Sequence, residues 1–137
     1  MVERRRHGLA LPAAAALLCG LLDLDINRSA YLKSSARARD MVRQYVARAA
    51  DLADPLACTI DAPLAGLPPL LLQTGTDDYC CDDSLRFAAR ASASGVAVTL
   101  RIWPEMIHVW QRFVPLLPEA RQALDEVAAF FAARAPV

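Results

Sequence analysis

Two side chains in this 137-residue chain have types and settings suited to proton transfer. Asp78 closes the run Leu67-Pro68-Pro69-Leu70-Leu71-Leu72-Gln73-Thr74-Gly75-Thr76-Asp77-Asp78, and His108 follows 30 residues later in Pro104-Glu105-Met106-Ile107-His108-Val109-Trp110. A histidine acting as general base needs one ring nitrogen for the nucleophile. It needs an acid on the other to fix its tautomer and stabilise its charged form. An acid after one strand and a histidine after the next meets that need. Together they are two thirds of an acid–histidine–nucleophile triad. Spacing alone favours a plainer reading, in which Asp77 and Asp78 cap the following helix and His108 is a satisfied core histidine.

The elements that would position this pair are legible in the apolar pattern. Val2 to Arg6 reads as a last helical turn stopped by Gly8. Ala13 to Leu18, after Pro12, reads as a buried strand. Ser29 to Lys33 reads as loop. Ser34 or Ser35 can cap a helix to about Ala50, with Met41, Val42, Tyr45, Val46 and Ala49 on one face and the arginines in solvent. Asp51 to Pro68 is an irregular connection. Pro69 to Gln73, apolar through Leu72, reads as a central parallel strand covered on both faces. Asp82, Asp83 or Ser84 then caps a helix through Ser94, stopped by Gly95. Val96 to Trp103 alternates with period two, the pattern of a strand near a sheet edge. Pro118 opens a last helix with Ala120, Leu124, Val127 and Phe131 inward. The expected fold class is α/β, with three parallel strands in β-α-β-α-β-α order. Functional groups in such sheets lie beyond the carboxyl ends of the strands.

Composition narrows the function classes. The length suits one domain. Lys plus Arg equals Asp plus Glu, so no net charge draws the chain to nucleic acid or anionic lipid. The cysteines are Cys19, Cys58, Cys80 and Cys81, with no C-x-x-C spacing. They read as free thiols in a reducing, cytoplasmic setting, not as a zinc centre. A cysteine-dependent enzyme using Cys19 or the Cys80-Cys81 pair is a weaker reading, because no histidine is close to them in sequence. Arg4-Arg5-Arg6 before the apolar run from Leu9 to Leu22 superficially resembles a signal peptide. The run is too short to span a bilayer and is read as core.

The local sequence then shifts the weight toward the triad reading. Leu11-Pro12-Ala13-Ala14-Ala15, Leu22-Asp23-Leu24, Asp54-Pro55-Leu56-Ala57, Gly66-Leu67-Pro68-Pro69-Leu70-Leu71, Gly75-Thr76-Asp77-Asp78 with Asp82-Asp83-Ser84, and Met106-Ile107-His108-Val109-Trp110 occur in order. This series resembles the carboxyl-terminal half of an α/β-hydrolase, and more narrowly the hormone-sensitive-lipase-like bacterial esterases. The resemblance covers nearly the whole chain. It implies one partial α/β-hydrolase domain over residues 1–137, with Asp78 (or its neighbour Asp77) as acid and His108 as base. The implied reaction is hydrolysis of a small acyl ester through an acyl-enzyme, with no metal or organic cofactor.

The chain also departs from that pattern. It contains no G-x-S-x-G nucleophile elbow and no H-G-G-G oxyanion segment. Ser29, Ser34, Ser35, Ser84, Ser92 and Ser94 have loop, cap or helix settings. Cys19-Gly20 stands where the resemblance would put Ser-Pro, and Ile26 to Tyr31 fits loosely. The nucleophile-bearing amino-terminal half is therefore expected outside these residues, leaving the chain inactive alone. The alternative is a non-catalytic interaction module, one that dimerises through its last strand and helix or complements another chain.

Overall fold

A computed structural model describes residues 1–25, 27–46, 52 and 54–134. At its centre three parallel strands lie in the order β1-β2-β3: β1 is Ala15–Leu18, β2 is Leu70–Gly75 and β3 is Val98–Trp103. The register pairs Ala15 with Leu70 and Leu18 with Gln73 on one side, and Leu70 with Val98 and Gly75 with Trp103 on the other. Every residue of β2 is buried. A strand covered on both faces has no reason to alternate, which explains its three consecutive leucines.

Successive β2 side chains point to opposite faces. Leu70 and Leu72 join a cluster with Leu22, Leu24, Ile60, Leu64, Phe87 and Ala91. Leu71 packs with Ala14 and Phe130 on the other face. Helix α4 (Cys81–Ala93) belongs to the first face and helix α5 (Pro118–Ala132) to the second. Gln73, wholly buried, donates from Nε2 to the Ala123 carbonyl at 2.9 Å and so ties α5 to the middle strand. The expected α/β architecture with three parallel strands is what the chain forms. Strand β3 is at an edge, and its alternation fades outward: Val96 is buried, Val98 and Leu100 pack on the core, and Ile102 is exposed.

Several local expectations need correction. Ser29 to Lys33 is not loop. Helix α2 spans Ala30–Ser34, because Ser29 Oγ accepts the Leu32 amide and Leu32 is buried. Helix α3 is Ala36–Tyr45, capped by Ser35 Oγ on the Ala38 amide; residues 47–50, where the helix was expected to continue, lie outside the described residues. The expected inner face of α3 is only partly inward. Ala38 and Val46 are buried, whereas Met41 and Tyr45 are exposed. Arg39 is not a solvent arginine, since its Nη1 donates to the Leu32 and Lys33 carbonyls and closes the end of α2.

At α4 neither Asp82, Asp83 nor Ser84 is the cap. The N-cap is Cys80, whose own side chain makes no capping bond, and the acids occupy the first turn. A negative charge there is favoured by the helix dipole without being a cap. Gly95 takes φ +78° after the helix, as its position requires. Helix α5 begins at Pro118 as expected, but it is rotated. Ala120, Ala123 and Phe130 are buried, while Leu124 and Phe131 are exposed. Small alanines let the helix approach the sheet closely and leave the bulkier residues one step round. Helix α1 (Val2–Arg6) ends as expected at Gly8, φ +64°. The Arg5 guanidinium holds it to the carbonyls of Pro63 and Ala65.

A buried charge node secures the segment after β1 against α4. Asp83 Oδ2 accepts the amides of Leu22 and Asp23, each at 3.1 Å. Arg86 bridges Asp23 at 2.6 Å and Asp83 at 2.8 Å, and Arg28 reaches Asp23 at 3.1 Å. Burial pushes the Asp83 carboxyl above the ordinary carboxylate range, against the lowering by those two amides and Arg86. Both acids are thus paired and hydrogen-bonded, the condition under which buried charge is tolerated.

Candidate active site

The carboxyl ends of the three strands converge on one cluster. Gly75, the last residue of β2, sits beneath the loop that carries His108. A Cβ built on Gly75 would fall 1.8 Å from the Met106 carbonyl oxygen. Only glycine allows this approach. Two further bonds clamp the loop to β2: Thr76 Oγ1 accepts the Glu105 amide at 2.7 Å, and the Asp77 amide donates to the Met106 carbonyl at 3.2 Å. Within the loop, Glu105 (φ +59°) and Val109 (φ +50°) adopt left-handed backbone that side chains rarely take. Such conformations persist where surrounding contacts over-determine them.

This clamp brings His108 Nδ1 to 2.9 Å from Asp78 Oδ1. Asp78 also accepts the Thr74 hydroxyl on Oδ2 at 3.1 Å and the Cys80 amide on Oδ1 at 2.9 Å. The Asp78 side chain is fully buried and that of His108 is 29 % exposed. A buried carboxylate accepting from Nδ1 puts the proton on that nitrogen and leaves Nε2 to face a reacting group. Asp77, by contrast, is exposed and, among the described residues, its side chain accepts only the neighbouring Thr76 hydroxyl. Of the two adjacent acids, Asp78 is therefore the one that faces the histidine.

Two aromatic rings complete one wall. Tyr79 stacks on His108 with ring centroids 4.2 Å apart, and Tyr31 stacks on Tyr79 at 4.0 Å. Burial raises the Tyr79 phenol to about 12, so it is neutral at physiological pH. Behind the imidazole lies Cys19, at the end of β1 with φ +52°. Its Sγ accepts the Val109 amide at 3.2 Å, and the sulfur lies within 4.8 Å of ligand atoms of both Asp78 and His108. Burial, then hydrogen bonding to Asp78, holds the Cys19 thiol up at about 12. Burial also pushes the Cys80 thiol well above its ordinary range, despite its place at a helix start. Burial thus favours the thiol form of both, which counts against Cys19 or Cys80 as a nucleophile.

Sequence reasoning singled out Asp78 and His108, raised Cys19 only as a nucleophile of a different enzyme and did not join it to that pair, and passed over Tyr79 and Tyr31. For Cys19 a signal existed, because it follows the first strand at the same sheet edge as the acid and the histidine. For the tyrosines there was none: a stack between α2 and the segment after β2 is a purely tertiary fact.

Residues 1–112 match the family profile of the alpha/beta hydrolase fold. The chain belongs to the α/β-hydrolase family. Among its relatives is an acetyl-hydrolase of Streptomyces hygroscopicus, 37% identical over 134 residues that cover 92% of this chain and 44% of that protein. An esterase of Acinetobacter venetianus is 34% identical over 89 residues, covering 65% of this chain and 29% of that one. Solved structures agree. An esterase/lipase from an uncultured bacterium superposes with a TM-score of 0.89 at 37% identity, covering 97% of this chain and 47% of that one. An esterase from the bacterial hormone-sensitive lipase family superposes with a TM-score of 0.89 at 33% identity and the same two coverages. The chain is thus a hormone-sensitive-lipase-like α/β-hydrolase that spans less than half the length of these relatives. Among the described residues, no helix is long and apolar enough to cross a membrane.

Proposed function

We propose that this α/β-hydrolase chain supplies the acid and the base of a serine carboxylic-ester hydrolase. Asp78 orients and charges-balances His108, and the nucleophilic serine and the oxyanion donors come from outside these 137 residues. The observation that carries this reading is the 2.9 Å bond from His108 Nδ1 to buried Asp78. In that arrangement Nε2 accepts the serine proton as the hydroxyl attacks the ester carbonyl. The same nitrogen then returns the proton to the leaving alcohol, giving an acyl-enzyme. Water repeats the sequence to release the acid. Asp78 stabilises the imidazolium formed in both steps, and Tyr79 holds the ring plane. No metal or organic cofactor enters these steps.

By this account the 137 residues alone hydrolyse p-nitrophenyl acetate no faster than buffer, since they hold neither the attacking group nor the oxyanion donors. Joining the upstream part of the Streptomyces acetyl-hydrolase to residue 1 restores turnover. Asp78→Asn in that chimera lowers kcat by roughly 10⁴-fold, and His108→Ala abolishes turnover. Robust hydrolysis by the 137 residues that survives His108→Ala overturns the reading.

A second reading rests on the exposed Ile102 of β3 and on Leu124 and Phe131 of α5. These apolar side chains support self-association of two copies through the last strand and helix. Sedimentation of a stable monomer at high concentration excludes it.

A further inference from the structure

The proposed hydrolysis leaves Cys19 without a task, yet this thiol shares one buried corner with the acid and the histidine. Three strands end in three donor atoms of different kinds: sulfur after β1, carboxylate oxygen after β2 and imidazole nitrogen after β3. All three ligand atoms lie within 4.8 Å of one another. Cys19 and Asp78 are buried and His108 is partly open to solvent. We propose that Cys19, Asp78 and His108 form a site for a divalent cation of the zinc class, which binds in competition with the acid–histidine hydrogen bond.

The donor set fits that class. Thiolate, imidazole and carboxylate bind Zn²⁺ at about 2.0–2.3 Å, so tetrahedral ligands at those lengths stand roughly 3–4 Å apart. The acid–histidine pair is at 2.9 Å already, and the sulfur needs only a small approach. Donors are also pre-oriented from behind, as ligands of metal sites usually are. Thr74 Oγ1 holds the far carboxylate oxygen, and the Val109 amide holds the sulfur. A water would complete the four-coordinate set. Two anionic ligands, thiolate and carboxylate, offset the charge of the cation in this buried setting.

Binding changes no oxidation state. The Cys19 S–H bond breaks, its proton goes to solvent and an Sγ–metal bond forms. The His108 proton leaves Nδ1 and Nε2 becomes the protonated nitrogen, so that the Nδ1 lone pair reaches the metal. Asp78 exchanges its hydrogen bond from His108 for a metal bond. The net release is one proton per cation. With Nε2 protonated and Nδ1 ligated, the histidine has no site for a serine proton, so the cation is an inhibitor. That last consequence rests on the proposed ester hydrolysis; the binding itself does not.

Titration of the reduced 137-residue chain with Co²⁺ tests the site directly, in buffers of different ionisation heat. One Co²⁺ per chain is expected to give a thiolate-to-cobalt charge-transfer band and the visible bands of tetrahedral cobalt. Zn²⁺ should displace it, and calorimetry should show one proton released. Cys19→Ala and His108→Ala should each weaken binding by more than the roughly 10–100-fold cost of losing an outer-shell partner. Cys58→Ala and Cys81→Ser should keep the band. Should Cys19→Ala fail to fold by circular dichroism, the His108→Ala variant decides alone. Absence of the band in the unaltered chain, or its survival in either ligand variant, overturns the proposal. Because no ester turnover is read, that failure leaves the hydrolase reading standing.

Discussion

The end of β2 and the α2–α3 segment are held by different means. At β2 a fully buried strand, a glycine in contact range of a carbonyl and two hydrogen bonds fix the His108 loop. Helices α2 and α3 depend on two serine caps, the Arg39 bonds and a few buried side chains, with Met41 and Tyr45 in solvent. Sheet register and close packing position an atom to a fraction of an ångström, whereas caps and propensity only decide whether a short helix exists. The groups suited to proton transfer lie where the first kind of constraint operates.

That contrast can be broken most severely at Gly75. Gly75→Ala forces the His108 loop away from β2 and should cost about 3 kcal/mol or more in urea unfolding, with the His108–Asp78 bond lost. Asp83→Ala strips two buried amides and Arg86 of their acceptor, and a loss on the order of 3 kcal/mol is expected from the same measurement.

Alkaline pH attacks the same corner. The Cys19 thiol rises from 9.0 to about 12 on folding, so its contribution to stability is fully present below pH 9 and declines as pH climbs toward 12. Urea midpoints at pH 8 and pH 10 should therefore fall, and Cys19→Ala should flatten part of the fall. Cys80, Cys58 and Tyr79, whose burial acts in the same direction, contribute the remainder. Two tyrosine variants sharpen the comparison at its lower end. Tyr79→Leu removes two ring stacks and should cost about 1 kcal/mol, with broadened His108 ring resonances. Tyr45→Ser, on the exposed face of α3, should stay within about 0.5 kcal/mol of the parent protein.

What could be read from sequence follows the same division. The leucine run leading to Gly75, the glycine after α4 and the proline that opens α5 signal strand, stop and start through backbone chemistry that context rarely overrides. The strand order and the edge shared by Asp78 and His108 come from those signals and the handedness of parallel crossovers. Phase was harder. Helix α5 is rich in alanine, so its apolar residues mark two candidate faces, and packing chose the one with Ala120 and Ala123. The α2 helix was missed because it is too short to show periodicity and rests on the Ser29 cap. Asp83 looked like a cap but serves the amides of Leu22 and Asp23 across the fold. Cys19 and Tyr79 reach the histidine from other elements, through contacts that no local spacing encodes.

The account depends on one bond, between buried Asp78 and the histidine from the next strand. Proton NMR of the 137-residue chain reads it directly through the ring N–H of His108. A downfield, slowly exchanging Nδ1–H resonance that disappears in a folded Asp78→Asn variant is the predicted result. A His108 with no proton on Nδ1, or one whose resonance is indifferent to Asp78→Asn, would contradict it.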